Sequence, residues 1–130
     1  MADRASIKIR NLIAGHGVAL GVAIDERTTA AERWALQSGA ECRAVGAGTA
    51  VTGFRSSLII CDDPVKGYEQ AASASEKEKL VTWFRTDLST RLVPSGRTIV
   101  VATRWAVDDL LGRLLDEEGP LETTVTASLR

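Results

Sequence analysis

Residues 58–64 read Leu58-Ile59-Ile60-Cys61-Asp62-Asp63-Pro64. A short apolar run without charge predicts a strand buried on both faces. Two carboxylates follow at once, and Pro64, which has no amide to donate, stops the ladder. Acids at the carboxyl end of a buried strand lie where open α/β sheets bind ligands. Adjacent carboxylates there commonly hold a hydrated Mg2+ and orient a water for phosphate chemistry. The same seven residues also suit a strand that ends in a solvated Asp-Asp-Pro turn, so the surrounding chain has to decide.

Downstream, Ser75-Glu76-Lys77-Glu78 is a capping box that opens a helix running to about Thr90. Leu80, Phe84 and Leu88 repeat at four-residue spacing, with Val81 and Trp83 widening the apolar face. Pro94-Ser95-Gly96 reads as a turn, and residues 98–102 as a second buried strand. Asp108 caps a further helix, with Leu110, Leu111, Leu114 and Leu115 on one face, and Gly119-Pro120 stops it. Residues 121–127 alternate weakly and suit a last strand. Upstream, residues 5–14 read as a short helix ended by Gly15 and Gly17, and residues 18–24 as a strand. Residues 25–29 read as polar connection. Residues 32–36 and 41–45 predict a hairpin around Ser38-Gly39, and 46–53 is a glycine-threonine loop. Strand, helix, strand, helix, strand is the pattern of βαβ units with a parallel sheet, on which the hairpin would be a small insertion.

With 130 residues, 45% hydrophobic and 25% charged, the chain reads as one globular domain or part of one, with no linker dividing it. Residues 1–55 carry seven Lys/Arg against five Asp/Glu, hence +2. Residues 56–130 carry nine against twelve, hence −3. Neither half is a basic patch, so composition gives no support for direct nucleic-acid binding. Cys42 and Cys61 lack metal-motif spacing, and a reduced cytosolic protein is the simplest account. No signal peptide is read at the N-terminus, and no apolar run approaches the ~20 residues of a membrane span. His16, the one histidine, reads as a loop residue between two glycines.

The second buried strand ends in Thr103-Arg104-Trp105. Parallel neighbours deliver their carboxyl ends to one edge, so Thr103 and Arg104 are expected beside Asp62 and Asp63. There a hydroxyl senses a metal-held phosphate and an arginine stabilises charge on it. In the plainer account, Thr103 satisfies backbone groups and Arg104 neutralises the aspartates. The 46–53 loop is not a P-loop, because no Gly-Lys-Ser/Thr occurs in the 130 residues. Arg55, just beyond it, could reach toward phosphate or DNA. Asp108 and Asp109 form a second acidic pair, read as helix caps. Trp34, Trp83 and Trp105 read as packing residues, with a base or a partner surface the other reading of Trp105, beside the motif.

Taken in order, the chain resembles the ATPase domain of a tailed-phage terminase large subunit, the motor that packages DNA into procapsids. The words that carry the resemblance are Arg33-Trp34, the glycines of 46–48, Thr52-Gly53 and the run from Leu58 through Asp62-Asp63-Pro64-Val65-Lys66. Ser73, Trp83-Phe84, Thr90-Arg91-Leu92, Pro94, Thr103-Arg104-Trp105, Asp108-Asp109-Leu110 and Gly112-Arg113-Leu114-Leu115 follow. Their order and spacing, over roughly residues 5–128, make the likeness specific.

The resemblance implies a RecA-like fold of the P-loop NTPase type, here incomplete: a mostly parallel sheet flanked by helices. It implies that Asp62 is the Walker B acid holding Mg2+ through water, and that Asp63 is the catalytic carboxylate that activates the attacking water. It implies that Thr103 and Arg104 are the coupling motif, Thr103 beside the nucleotide and Arg104 catalytic. ATP and Mg2+ are the implied cofactors. Double-stranded DNA, the small terminase subunit and the procapsid portal are the implied partners, in the host bacterial cytoplasm and without a membrane. The Walker A region and the nuclease domain are expected to be missing, and Ala106 stands where relatives usually have histidine. The chain alone is therefore expected to lack ATPase activity, and its sheet to expose an edge open to self-association. Two other readings stay open: a truncated or prophage-remnant domain keeping only fold and a protein interface, and a metal-dependent nuclease on Asp62 and Asp63.

Overall fold

The computed structural model describes residues 2–118. The chain divides between Val51 and Thr52 into two compact units. It is mixed α/β, with one antiparallel sheet and one parallel pair.

The first unit is a helix, α1 (Ala2–Leu20), and a three-stranded antiparallel sheet of β1 (Ile24–Thr29), β2 (Arg33–Leu36) and β3 (Glu41–Arg43). The expected β2–β3 hairpin is present, with Gly39 at φ 89° in its turn. It pairs with β1 in a sheet of its own, however, and is not an insertion on the parallel sheet. The expected helix end at Gly15 and Gly17 is wrong, as is a strand over 18–24. The helix runs through both glycines and its last turn is Val18–Leu20 in sequence. It stops at Gly21, whose φ of 66° reverses the chain. There the Gly21 amide donates to the Val18 carbonyl at 3.3 Å and the Val22 amide to the Gly17 carbonyl at 2.9 Å. This pair of bonds is a Schellman cap. It brings the Val22 carbonyl within 2.4 Å of where a Cβ on Gly17 would stand. Gly17 thus permits the cap five residues later. The residues read as polar connection, 25–29, lie in β1. Inside the unit, buried Trp34 donates from Nε1 to Ser6 Oγ at 2.9 Å, which fixes α1 on β2.

The second unit carries the decisive stretch. β4 (Ser56–Asp62) and β5 (Leu92–Val101) are parallel, with Ile60 opposite Ile99 and Asp62 opposite Val101. Between them lie α2 (Tyr68–Ala72), which the sequence did not suggest, and α3 (Ala74–Trp83). The N-cap of α3 is Ser73, whose Oγ accepts from the Glu76 amide at 3.3 Å. Ser73 and Ser75 each stand three residues before a glutamate, and the first of these two boxes is the one used. Helical winding continues to Arg91 through a π turn and a 3-10 turn, close to the expected end at Thr90. The expected turn at Pro94-Ser95-Gly96 is a bulge within β5: between Ser56–Leu92 and Leu58–Arg97, β4 advances two residues and β5 five.

Ile59 and Cys61 face the core with Leu80, Val81, Trp83, Phe84, Leu88 and Leu110 buried in the same unit. The opposite face is not covered: Leu58, Ile60, Ile99 and Val101 are 48%, 57%, 48% and 53% exposed. Burial on both faces, expected from the charge-free run, is therefore not observed among the described residues. α4 (Leu110–Glu118) lies along α3. Lys77 pairs with Asp108, Glu78 with Arg113 and Arg85 with Glu117, so the two helices run the same way. The expected strand at 121–127 lies outside the described residues, as does the Gly119-Pro120 stop. No helix among the described residues is long and apolar enough to cross a membrane.

Candidate functional site

The parallel pairing carries the chemistry-bearing residues to one edge. Asp62 ends β4 opposite Val101, the last residue of β5, and the Asp63 amide donates to the Val101 carbonyl at 2.7 Å. Thr103 and Arg104 follow Val101 by two and three residues, so all four expected residues stand at the carboxyl end of the pair. Asp63 is also the one non-glycine residue with positive φ among those described, at 41°. That left-handed turn costs a side-chain-bearing residue energy, though aspartate tolerates it better than most. Buried Pro64 then leads the chain away.

Asp62, Asp63 and Thr103 are exposed. Among the described residues, neither carboxylate has a hydrogen bond or an ion pair to a side chain. Arg104 does not neutralise them. Its Nε lies 3.0 and 3.1 Å from the two carboxylate oxygens of Asp109. Its Nη2 donates to the carbonyls of Ala106 and Val107 at 3.2 and 3.3 Å.

Asp109 is the residue that sequence reasoning undervalued. It is 7% exposed and precedes α4. Oδ1 accepts from the Gly112 amide at 2.9 Å, as an N-cap does. Oδ2 accepts from the amides of Trp105 at 2.9 Å and Ala106 at 3.3 Å. Burial alone would push the Asp109 carboxyl up. The amides of Gly112, Trp105 and Ala106 and the Arg104 guanidinium outweigh it and hold the group below the ordinary carboxylate value. Gly112 is required by close approach, since a Cβ there would stand 1.9 Å from the Val107 carbonyl oxygen. The signal for this loop was in the sequence: an aspartate three residues before a glycine and five after an arginine. Asp108 has the smaller part, a contact of 2.6 Å with Lys77 Nζ.

Cys61 is a buried hydrophobe, as expected. Burial, with the Asp62 charge next in chain, pushes its thiol up to about 11. No group of three His, Cys, Asp or Glu able to hold a metal ion occurs among the described residues. The donors at the strand end are instead two free carboxylates at an open edge. That set fits Mg2+, which keeps most of its waters and needs one or two carboxylates plus phosphate oxygens.

The chain matches no known family model, no curated protein and no solved structure.

Proposed function

We propose that this chain is the Walker B half of a RecA-like, ATP-driven motor of the kind that packages DNA into phage procapsids. The observation that carries the reading is the shared carboxyl edge of β4 and β5: Asp62 and Asp63, without a side-chain partner among the described residues, end β4 at the edge from which Thr103 and Arg104 follow β5. Asp62 would hold Mg2+ through water, and Asp63, set apart by its left-handed backbone, would take a proton from the attacking water. When bound, Mg2+ would neutralise charge on the phosphates. Thr103 would bond a phosphate or the water in line with it, and Arg104 would stabilise charge that develops there. The proposed partners are double-stranded DNA, the small subunit and the portal, in the host cytoplasm.

A second reading, a non-catalytic domain that keeps the fold and an interface, is favoured by one observation. Three of the five donors of Arg104 are spent inside its own loop. DNA-stimulated ATP hydrolysis by a protein carrying these residues together with a Gly-Lys-Ser/Thr segment separates the two. The motor reading expects turnover that Asp63→Asn reduces by orders of magnitude, with unchanged melting. Equal turnover in wild type and Asp63→Asn would sink it. The 130 residues alone are expected to show no turnover, for want of the amides and lysine that cradle phosphates.

A further inference from the structure

We infer that Asp109 is a positioning residue that presets Arg104 to offer a single edge, Nη1, to one phosphoryl oxygen. The inference rests on the nucleotide reading of the strand ends and adds a residue to it. A free arginine is long and floppy, and fixing it on a ligand costs rotamer entropy. Arg104 has met that cost already. Nε is held by the Asp109 carboxylate and Nη2 by the Ala106 and Val107 carbonyls, so the guanidinium plane is fixed by three separate groups. Nη2 also lies 3.0 Å from the position a Cβ on Gly112 would take, so a larger residue there would crowd it. The two donors on Nη1 have no partner among the described residues. A fork so occupied cannot grip an anion with two parallel bonds, the usual arginine–phosphate geometry. It can place one charge-assisted donor at a set position, which is the form of preorganisation that stabilises developing charge.

Asp109 does more than cap α4: Oδ1 caps the helix, while Oδ2 and the charge hold Arg104 and its loop. Asparagine keeps one acceptor for the Gly112 cap, but its amide nitrogen accepts from neither Trp105 nor Ala106, and it lacks the charge that holds Arg104. The test is a titration of the 130-residue chain, with isotope-labelled arginine, by magnesium pyrophosphate at low salt. Each arginine side-chain N–H is followed by NMR. Pyrophosphate is expected to shift the Arg104 signals first. Asp109→Asn should weaken binding about tenfold with helix content retained. Arg104→Lys, which keeps charge but not the fork, should do the same and serves if Asp109→Asn does not fold. Arg104 signals that stay still, or unchanged affinity in a folded Asp109→Asn or in Arg104→Lys, would overturn the inference. Asp62→Asn tells the two claims apart. If it leaves affinity untouched while Arg104→Lys lowers it, the anion contact stands and the nucleotide reading of the strand end falls.

Discussion

The second unit holds two Asp-Asp pairs that look alike in sequence and differ in nearly everything else. Asp62-Asp63 ends a strand, exposed, with neither carboxylate bonded among the described residues. Asp108-Asp109 begins a helix, with Asp108 on Lys77 and Asp109 buried under four donors. The second pair has its hydrogen-bonding capacity spent on the fold, and the first has it available. A carboxylate with satisfied acceptors stabilises. One left without a partner at a strand end contributes little to stability and is available to a ligand.

Substitutions can break that contrast. Gly112→Ala should be the most damaging, because its Cβ would meet the Val107 backbone, which cannot swing aside. A loss of about 3 kcal/mol is expected by denaturant unfolding. A loss under about 1 kcal/mol would mean that the Asp109 loop gives way easily.

Asp109→Ala should cost about 2 kcal/mol, through a lost cap and buried amides left unpaired. Its pH dependence follows from its lowered carboxyl. The group's contribution is fully present above its unfolded value, near 4, and is lost as pH falls through the lower folded value. The gap between wild type and Asp109→Ala should therefore narrow as pH falls below the ordinary carboxylate range. A gap that stays constant down to pH 2 would remove the carboxylate charge from the account.

The strand-end pair should respond least, and in the opposite sense. Asp62→Asn should leave stability within about 0.5 kcal/mol of wild type. Asp63→Gly should raise it by about 0.5 kcal/mol by relieving the positive φ. If Asp63→Gly lowers stability instead, the two pairs are less different than their surroundings make them.

Local patterns were legible where one residue type has one use. The charge-free run gave β4, the Gly39 turn gave the hairpin, and the parallel pairing of β4 with β5 followed from the helix between them. Gly15 and Gly17 misled because glycine has two uses. It can end a helix, or it can sit inside one and let a carbonyl pass close by, as Gly17 does for Val22. β1 escaped notice because Asp25-Glu26-Arg27-Thr28-Thr29 has no apolar alternation, and its pairing with β2 is a backbone matter. At the site, the shared edge was readable from topology. That Arg104 pairs with Asp109, and with neither Asp62 nor Asp63, was not, since an arginine's choice among four carboxylates depends on where the loop carries it.

Three ion pairs join α3 and the turn after it to α4 and the residues just before it. Helices that run the same way lie with their dipoles side by side, like ends together, which is the less favourable arrangement. Lys77–Asp108, Glu78–Arg113 and Arg85–Glu117 stitch the two helices against that repulsion, and all three reach solvent. Salt screens such contacts while leaving the apolar core, centred on Leu80 and Leu110, intact. The grip of α4 is therefore ionic at its rim and hydrophobic at its root, so concentrated salt should fray the helix from its outer end, where the loop that holds Arg104 is farthest away.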